Sequence, residues 1–231
     1  MILTRRAVLR GGAGAVAASA LPFVPPLAAA TEARGERRFD ILRDGDPIGT
    51  HLTRVIRTGD RLQVETDVNI VVRVLGIAAY RYELRSHEVW EGGRLISLDG
   101  ETNDDGDRDV ARVRRTDAGL VSEGSWTGAL PDRVATTTYW TRAFFDRPIW
   151  LSTQSGMPLE VSPTRIGARE VPTPNGPVQA EAWRSEGDLP VTMFYGPNGE
   201  WLGNAFDAGG KPVQFVLASD TGPLAPLWTG A

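Results

Sequence analysis

The residues with the most chemical potential sit on strands that read as half-buried. Alternation puts Glu88 on one face with Tyr80, Tyr82, Leu84 and Trp90. A carboxylate there is costly unless it is paired or opens into a wet cavity. Arg54 is the matching oddity, because its face also carries Ile48, Leu52 and Ile56. An inward Arg54–Glu88 pair would satisfy both charges and could orient a ligand. The competing reading is that inward charges guard against mispairing or lie at a wet rim. Arg54, Glu88, Tyr80, Tyr82 and Trp90 are therefore the candidate ligand-binding residues.

Other constellations are weaker. His51 and His87 fall on polar strand faces and could meet over a metal with Glu83 or Glu91. Two histidines without a short-spaced motif read better as surface residues, so no metal is assigned. Gly124-Ser125-Trp126-Thr127-Gly128 has the wrong spacing for a nucleophile elbow. Glu101, Asn103, Asp105 and Gly106 imitate the start of a calcium loop, but Arg112 stands where a bidentate glutamate is required. That run reads as a hairpin turn. A carboxylate pair for hydrolysis has no residues that single it out. No catalytic residue and no cofactor is assigned, and the balance is against an enzyme.

The elements that carry these residues are strands. Arg61 to Val74 alternates strictly: Leu62, Val64, Thr66, Val68, Ile70, Val72 and Val74 share one face. Fourteen residues at this rise reach roughly 45 Å, which demands a twisted or coiled sheet. The partner strand runs from Ala79 to Glu91, and Ile48 to Arg57 precedes both. Further strands follow at 94–102, 108–114, 165–171, 178–184, 191–195, 201–206 and 213–217. Asp-Gly, Gly-Gly and Asn-Gly turns separate them, as in an antiparallel meander. One segment differs. Thr136 to Phe145 opens on a capping threonine and places Tyr139, Trp140, Ala143 and Phe144 at helical spacing. It predicts a short helix whose aromatics pack on the sheet or plug one end. Residues 131–163 read as the connection between N- and C-terminal halves. The fold class is all-β: one long, curved antiparallel sheet, a partly closed barrel or clam, with one short helix.

The N-terminus reads as an address. Arg5 and Arg6 precede an apolar stretch from Gly11 to Val24, and Ala28-Ala29-Ala30 offers a small-residue cleavage site. The paired arginines mark a twin-arginine export signal over residues 1–30, cleaved after about Ala30. The expected location is the periplasm, with the twin-arginine export machinery as a partner. Residues 31–231 form the single mature domain. The apolar stretch is too short to span a bilayer, and no later run approaches ~18 residues, so a soluble mature chain without a transmembrane segment is expected.

Composition narrows the partners. The chain carries a formal charge of −4, and without the three arginines of the signal the balance deepens to about −7. That argues against nucleic acid and against general attraction to anionic lipid. Arg112-Val113-Arg114-Arg115 reads as a solvated strand edge. There is no cysteine, which removes disulfides, iron–sulfur clusters and covalent haem. The seven tryptophans suit core packing or the lining of a ligand site.

The order of the turns supports a resemblance. Asp44-Gly45-Asp46-Pro47-Ile48-Gly49-Thr50-His51, Glu88-Val89-Trp90-Glu91-Gly92-Gly93-Arg94-Leu95, Thr102-Asn103-Asp104-Asp105-Gly106 and Phe194-Tyr195-Gly196-Pro197-Asn198-Gly199 carry it. The chain resembles the bacterial exported family catalogued as domain of unknown function 6134. The resemblance implies a β-rich envelope protein and supplies no catalytic residues. The leading expectation is non-enzymatic binding of a hydrophobic or envelope-derived ligand in the concave face. The alternatives are an envelope structural or interaction module and a carboxylate-dependent hydrolase.

Overall fold

The computed structural model describes residues 32–229. Arg5, Arg6, Ala28 and Ala30 lie outside the described residues. Fifteen strands follow in chain order. The first half contributes β1 (Glu32–Arg43), β2 (Asp46–Thr58), β3 (Arg61–Val74), β4 (Ile77–Glu91), β5 (Arg94–Asp104), β6 (Asp107–Thr116), β7 (Gly119–Glu123) and β8 (Thr127–Leu130). The short strands β9 (Ala135–Thr136) and β10 (Ile149–Leu151) belong to the connecting segment. The second half contributes β11 (Pro158–Val171), β12 (Val178–Gly187), β13 (Thr192–Tyr195), β14 (Trp201–Asp207) and β15 (Pro212–Thr221).

All fifteen strands lie in one curved sheet, in the order β8 to β1, then β15 to β9. The first and last long strands therefore meet in its middle, from Glu36 opposite Thr221 to Arg43 opposite Val213. Every neighbouring pair is antiparallel except β9 and β10. The edges are β8 and β9, consecutive in the chain, and the sheet stays open between them. Among the described residues no helix is long and apolar enough to cross a membrane.

Cross-strand register sorts the inner face into rows. One row runs Gly35, Val55, Val64, Glu88, Leu98, Val113. The next runs Arg37, Thr53, Thr66, Ser86, Gly100, Ala111, and the next Phe39, His51, Val68, Leu84, Thr102. A single sheet has one apolar face to bury, and here it curls around the segment that joins its halves. Val134, Trp140, Phe144, Trp150 and Leu151 from that segment pack on Val64, Trp90, Leu98 and Val113. From Thr53 to Ala111 the middle row is built of small side chains, and the segment crosses it at Gly100. A β-carbon on Gly100 would stand 2.1 Å from the Thr153 carbonyl oxygen.

Two local expectations change. The segment from Thr136 to Phe145 is not a continuous helix. It opens as β9 and ends in one 3-10 turn, Arg142–Asp146, capped by Thr141 rather than Thr136. Tyr139, between them, has φ +58, which interrupts any helix. The second change concerns the face of β2. Val55 lies opposite Val64, so His51, Thr53 and Val55 face inward and Leu52, Arg54 and Ile56 face outward, while Ile48, beyond a register irregularity, packs with Val68 and Leu84 on the inner side. Alternation fixes which residues share a face; pairing decides which face is inside.

The crossing at Gly100 gives a test. Both groups in the close approach are backbone-bound, so neither can rotate away. Gly100→Ala is expected to destabilise the fold by about 2 kcal/mol, in the range of overpacked cores, measured as a lower urea midpoint at unchanged slope.

Candidate functional site

The packed segment fills one end of the curl and stops short of the other. At the unfilled end lies a cavity of 370 Å³. Its floor comes from β2, β3 and β4: His51, Thr66, Val68, Ile70, Tyr80, Tyr82 and Leu84. The connecting segment supplies Thr137, Tyr139, Ser152, Thr153 and Gln154, and the second half closes it with Leu189, Val191, Asn204, Phe206 and Phe215. Asp104, exposed at the end of β5, is the single charged side chain in the lining among the described residues. Among the described residues no lysine or arginine lines it.

Burial keeps the remaining titratable groups neutral. His51 is 4% exposed and bonds Thr53 Oγ1 at 2.9 Å. Its ring lies 5.3 Å from Trp201 and 5.2 Å from Phe215, and desolvation lowers its pKa to about 3. Burial pushes the Tyr82 phenol up to about 12, and its hydroxyl accepts from Gln154 Nε2. Burial, with Asp104 as hydrogen-bond partner, raises Tyr80 as well. Burial raises Tyr139 too. Tyr139 is held by ring contacts to Trp150 and Trp201, and its carbonyl accepts from Tyr195 Oη at 2.6 Å. The cavity thus offers aromatic and aliphatic walls, several neutral donors and acceptors, and one carboxylate at the rim.

The five candidate residues separate into three places. Tyr80 and Tyr82 line the cavity. Glu88 and Trp90 face inward at the packed end, away from it. Arg54 does not join them. It stands on the outer face, half exposed, paired with Glu36 at 2.7 Å and close to Glu65. There it borders a groove of mixed charge with Asp67, Arg85, Asp99 and Arg112. The inward Arg54–Glu88 pair is corrected by the register of β2.

An inward arginine–glutamate pair does exist, with other members. Arg37 on β1 is 3% exposed and meets Glu200 at 2.6 Å. Glu200 also accepts from the amides of Leu224 and Ala225, which ties the 3-10 turn after β15 to β1. Sequence reading missed Arg37 because its partner comes from a distant turn. Arg147 was missed for the same reason. It donates to the carbonyls of Val134 and Gly93 and lies over the rings of Trp90 and Trp228.

The histidines are corrected too. His51 is buried on the inner face, whereas His87 lies opposite Glu65 on the outer one, so the two cannot share a metal. Among the described residues no group of three metal-ligating side chains converges. The acidic run forms the β5–β6 hairpin, with Gly106 N donating to Asn103 Oδ1 at 3.0 Å.

A family model for a domain of unknown function, DUF6134, matches residues 39–218. The chain belongs to the DUF6134 family. The sequence matches no curated protein. Among solved structures, the crystal structure of a β-barrel-like protein of domain of unknown function DUF1849 from Brucella abortus superposes with a TM-score of 0.56. The two sequences are 10% identical, and the match covers 84% of this chain and 99% of the other. That likeness is one of fold. The DUF6134 chain keeps the β-barrel-like architecture with its sheet unclosed.

Glu88 has a measurable consequence. Its Oε2 accepts from Trp90 Nε1 at 2.7 Å, and Oε1 is buried without a hydrogen-bond partner. The neighbouring Thr136 and Thr138 hydroxyls favour the charged form, but desolvation outweighs them and raises the carboxyl to about 7. The folded state therefore holds this proton more tightly than the unfolded chain. Its contribution is fully present below about pH 4.5 and is lost as pH rises through about 7. Glu88→Gln keeps the shape and the acceptor for Trp90. The variant should gain on wild type as pH rises, by up to about 3 kcal/mol, in urea unfolding at about pH 5 and about pH 8. A difference that does not change with pH would show Glu88 to be an ordinary, solvated acid.

Proposed function

We propose that this exported β-protein binds a small, uncharged, largely apolar molecule in the cavity at the open end of its sheet. The observation that carries the reading is the lining itself. A space of 370 Å³ lies within the range of small-ligand sites, which are mostly apolar with a few placed polar groups. The absence of any cation in the lining disfavours fatty acids and other anionic amphiphiles. A buried neutral histidine, three neutral tyrosines and Gln154 supply directional contacts for a carbonyl or hydroxyl. The lining holds one carboxylate, Asp104, whereas hydrolysis by an acid pair needs two across a cleft. The binding reading is therefore preferred to the hydrolase.

The probe is N-phenylnaphthylamine, a neutral apolar fluorophore. Saturable enhancement at one site per chain is expected. Laurate at about pH 8, where it is ionised, should not compete. Val68→Phe adds bulk at the cavity floor and should weaken binding about tenfold, roughly the worth of one displaced aromatic contact. Equal competition by laurate, or unchanged affinity in the Phe variant, would overturn the reading.

Export rests on the paired arginines. Replacing Arg5 and Arg6 together by lysine removes the guanidinium pair but keeps the charge. The expected outcome is loss of the protein from the periplasmic fraction and its accumulation in the cytoplasm, read by immunoblot of fractionated cells. Unchanged export would mean that a different route or signal is used.

A further inference from the structure

The β3–β4 hairpin is longer than its neighbours. Pairing of β2 with β3 ends at Gly49 opposite Ile70, and pairing of β5 with β4 ends at Tyr82 opposite Asp104. The ladder continues alone through Val71–Arg81, Val72–Tyr80, Arg73–Ala78 and Val74–Ile77. The result is a free two-stranded finger, a form that is marginally stable in water on its own. Asp105 meets Arg81 at its base through a backbone hydrogen bond of 2.8 Å.

The tip is chemically unusual. Its turn is Leu75-Gly76 with φ +52 and +84, a two-residue geometry that favours Asn or Gly at the first position. Leu75 is 97% exposed, Ile77 74% and Val74 58%. These are the three most exposed large apolar side chains among the described residues. Between Ile70 and Tyr82 the charged residues are Arg73 and Arg81, with no acid, in a chain of net charge −4. Aliphatic tip, tyrosines behind it and arginines alongside are the composition of an element that enters a lipid interface.

We propose that this finger docks the protein on an anionic membrane surface. Val74, Leu75 and Ile77 enter the headgroup–acyl boundary, and Arg73 and Arg81 meet lipid phosphates. Three rungs separate the tip pair from Arg81, about 10 Å at strand spacing. That matches the depth to which interfacial elements insert and leaves Asp104 and Asp105 in water. A second protein is a poorer occupant, because a stable interface needs about 1,000 Å² or more and the tip is only a few side chains wide. A lipid surface needs no complementary shape.

The proposal does not depend on the cavity reading, and one pair of measurements separates them. The full mature chain is floated with vesicles of phosphatidylethanolamine and phosphatidylglycerol, and with vesicles of phosphatidylcholine alone. Wild type should float with the anionic vesicles and more weakly with the neutral ones. Leu75→Asn with Ile77→Thr should cut partitioning about tenfold or more. It should leave Tm unchanged or raised, because Asn-Gly suits the turn, and leave N-phenylnaphthylamine binding intact. Arg73→Gln with Arg81→Gln should abolish the preference for anionic vesicles. The proposal is overturned if wild type floats with neither vesicle, or if the tip variant floats as well as wild type. It is overturned equally if the tip variant abolishes a concentration-dependent dimer in sedimentation while vesicle binding is absent.

Discussion

The structure depends on one constraint: a single sheet has one apolar face to hide and no second layer to hide it under. The chain answers by pairing its first and last long strands, so that two meanders become one sheet, and by curling that sheet around the segment between them. The filler is aromatic. Phe144 meets Trp90 and Trp228, Trp140 meets Trp228, and both Trp140 and Trp150 lie edge-on to Phe144. Arg147 locks this filler to both sides by donating to Gly93 in the β4–β5 turn and to Val134 beside β9. Where the filler ends, at Thr153 and Gln154, the cavity begins. The site is thus set by the length of the plug as much as by the residues of its wall.

Charge is distributed along the same axis. The packed end holds Arg37, Arg147 and Glu88, all buried. The two arginines are served by a carboxylate or by backbone carbonyls, as buried cations must be. Glu88 is the exception, served by an indole on one oxygen and left without a partner on the other, so burial raises its pKa. The cavity end holds neutral groups only until its rim. A polar group in low dielectric discriminates strongly because an unmatched partner is expensive. Neutral donors set among rings therefore select for hydrogen-bonding pattern, whereas a buried arginine would select for charge.

Much of the fold is legible in the sequence because alternation is a strong signal where one face is wet and the other dry. Arg61 to Val74 is read with its true ends, and its inner face is read correctly from Leu62 to Ile70, whereas Val74 lies exposed beyond a register shift. The reading weakens where both faces carry mixed residues. Between His51 and Ile56 on β2 the larger apolar side chains, Leu52 and Ile56, face outward and the inner face is His51, Thr53 and Val55, so apolarity alone selects the wrong side. The short strands β7 to β10 escape because two to five residues cannot show a period. The buried polar residues escape for a different reason. Arg37 and Glu200 lie far apart in sequence, and only the closing of the sheet brings them together. Tyr80 and Tyr82 could be placed on the inner face, but nothing in the sequence says where the plug stops, and that decides which inward residues line a cavity.

Backbone strain distinguishes the finger tip from the connecting segment. Among the described residues, four non-glycine residues have positive φ: Asp44, Leu75, Asp105 and Tyr139. The aspartates sit in hairpin turns, where their short polar side chains tolerate that conformation. The two bulky residues do not share this excuse. Tyr139 is compensated inside the protein by its ring contacts and by the hydrogen bond from Tyr195. Leu75 is almost wholly exposed, so packing within the chain returns little for the strain. Asparagine would relieve the turn and keep the tip wet, which is the ordinary solution in water. A leucine held at cost, with Val74 and Ile77 beside it and no acid nearby on the finger, makes sense only if the tip's working surroundings are less polar than water.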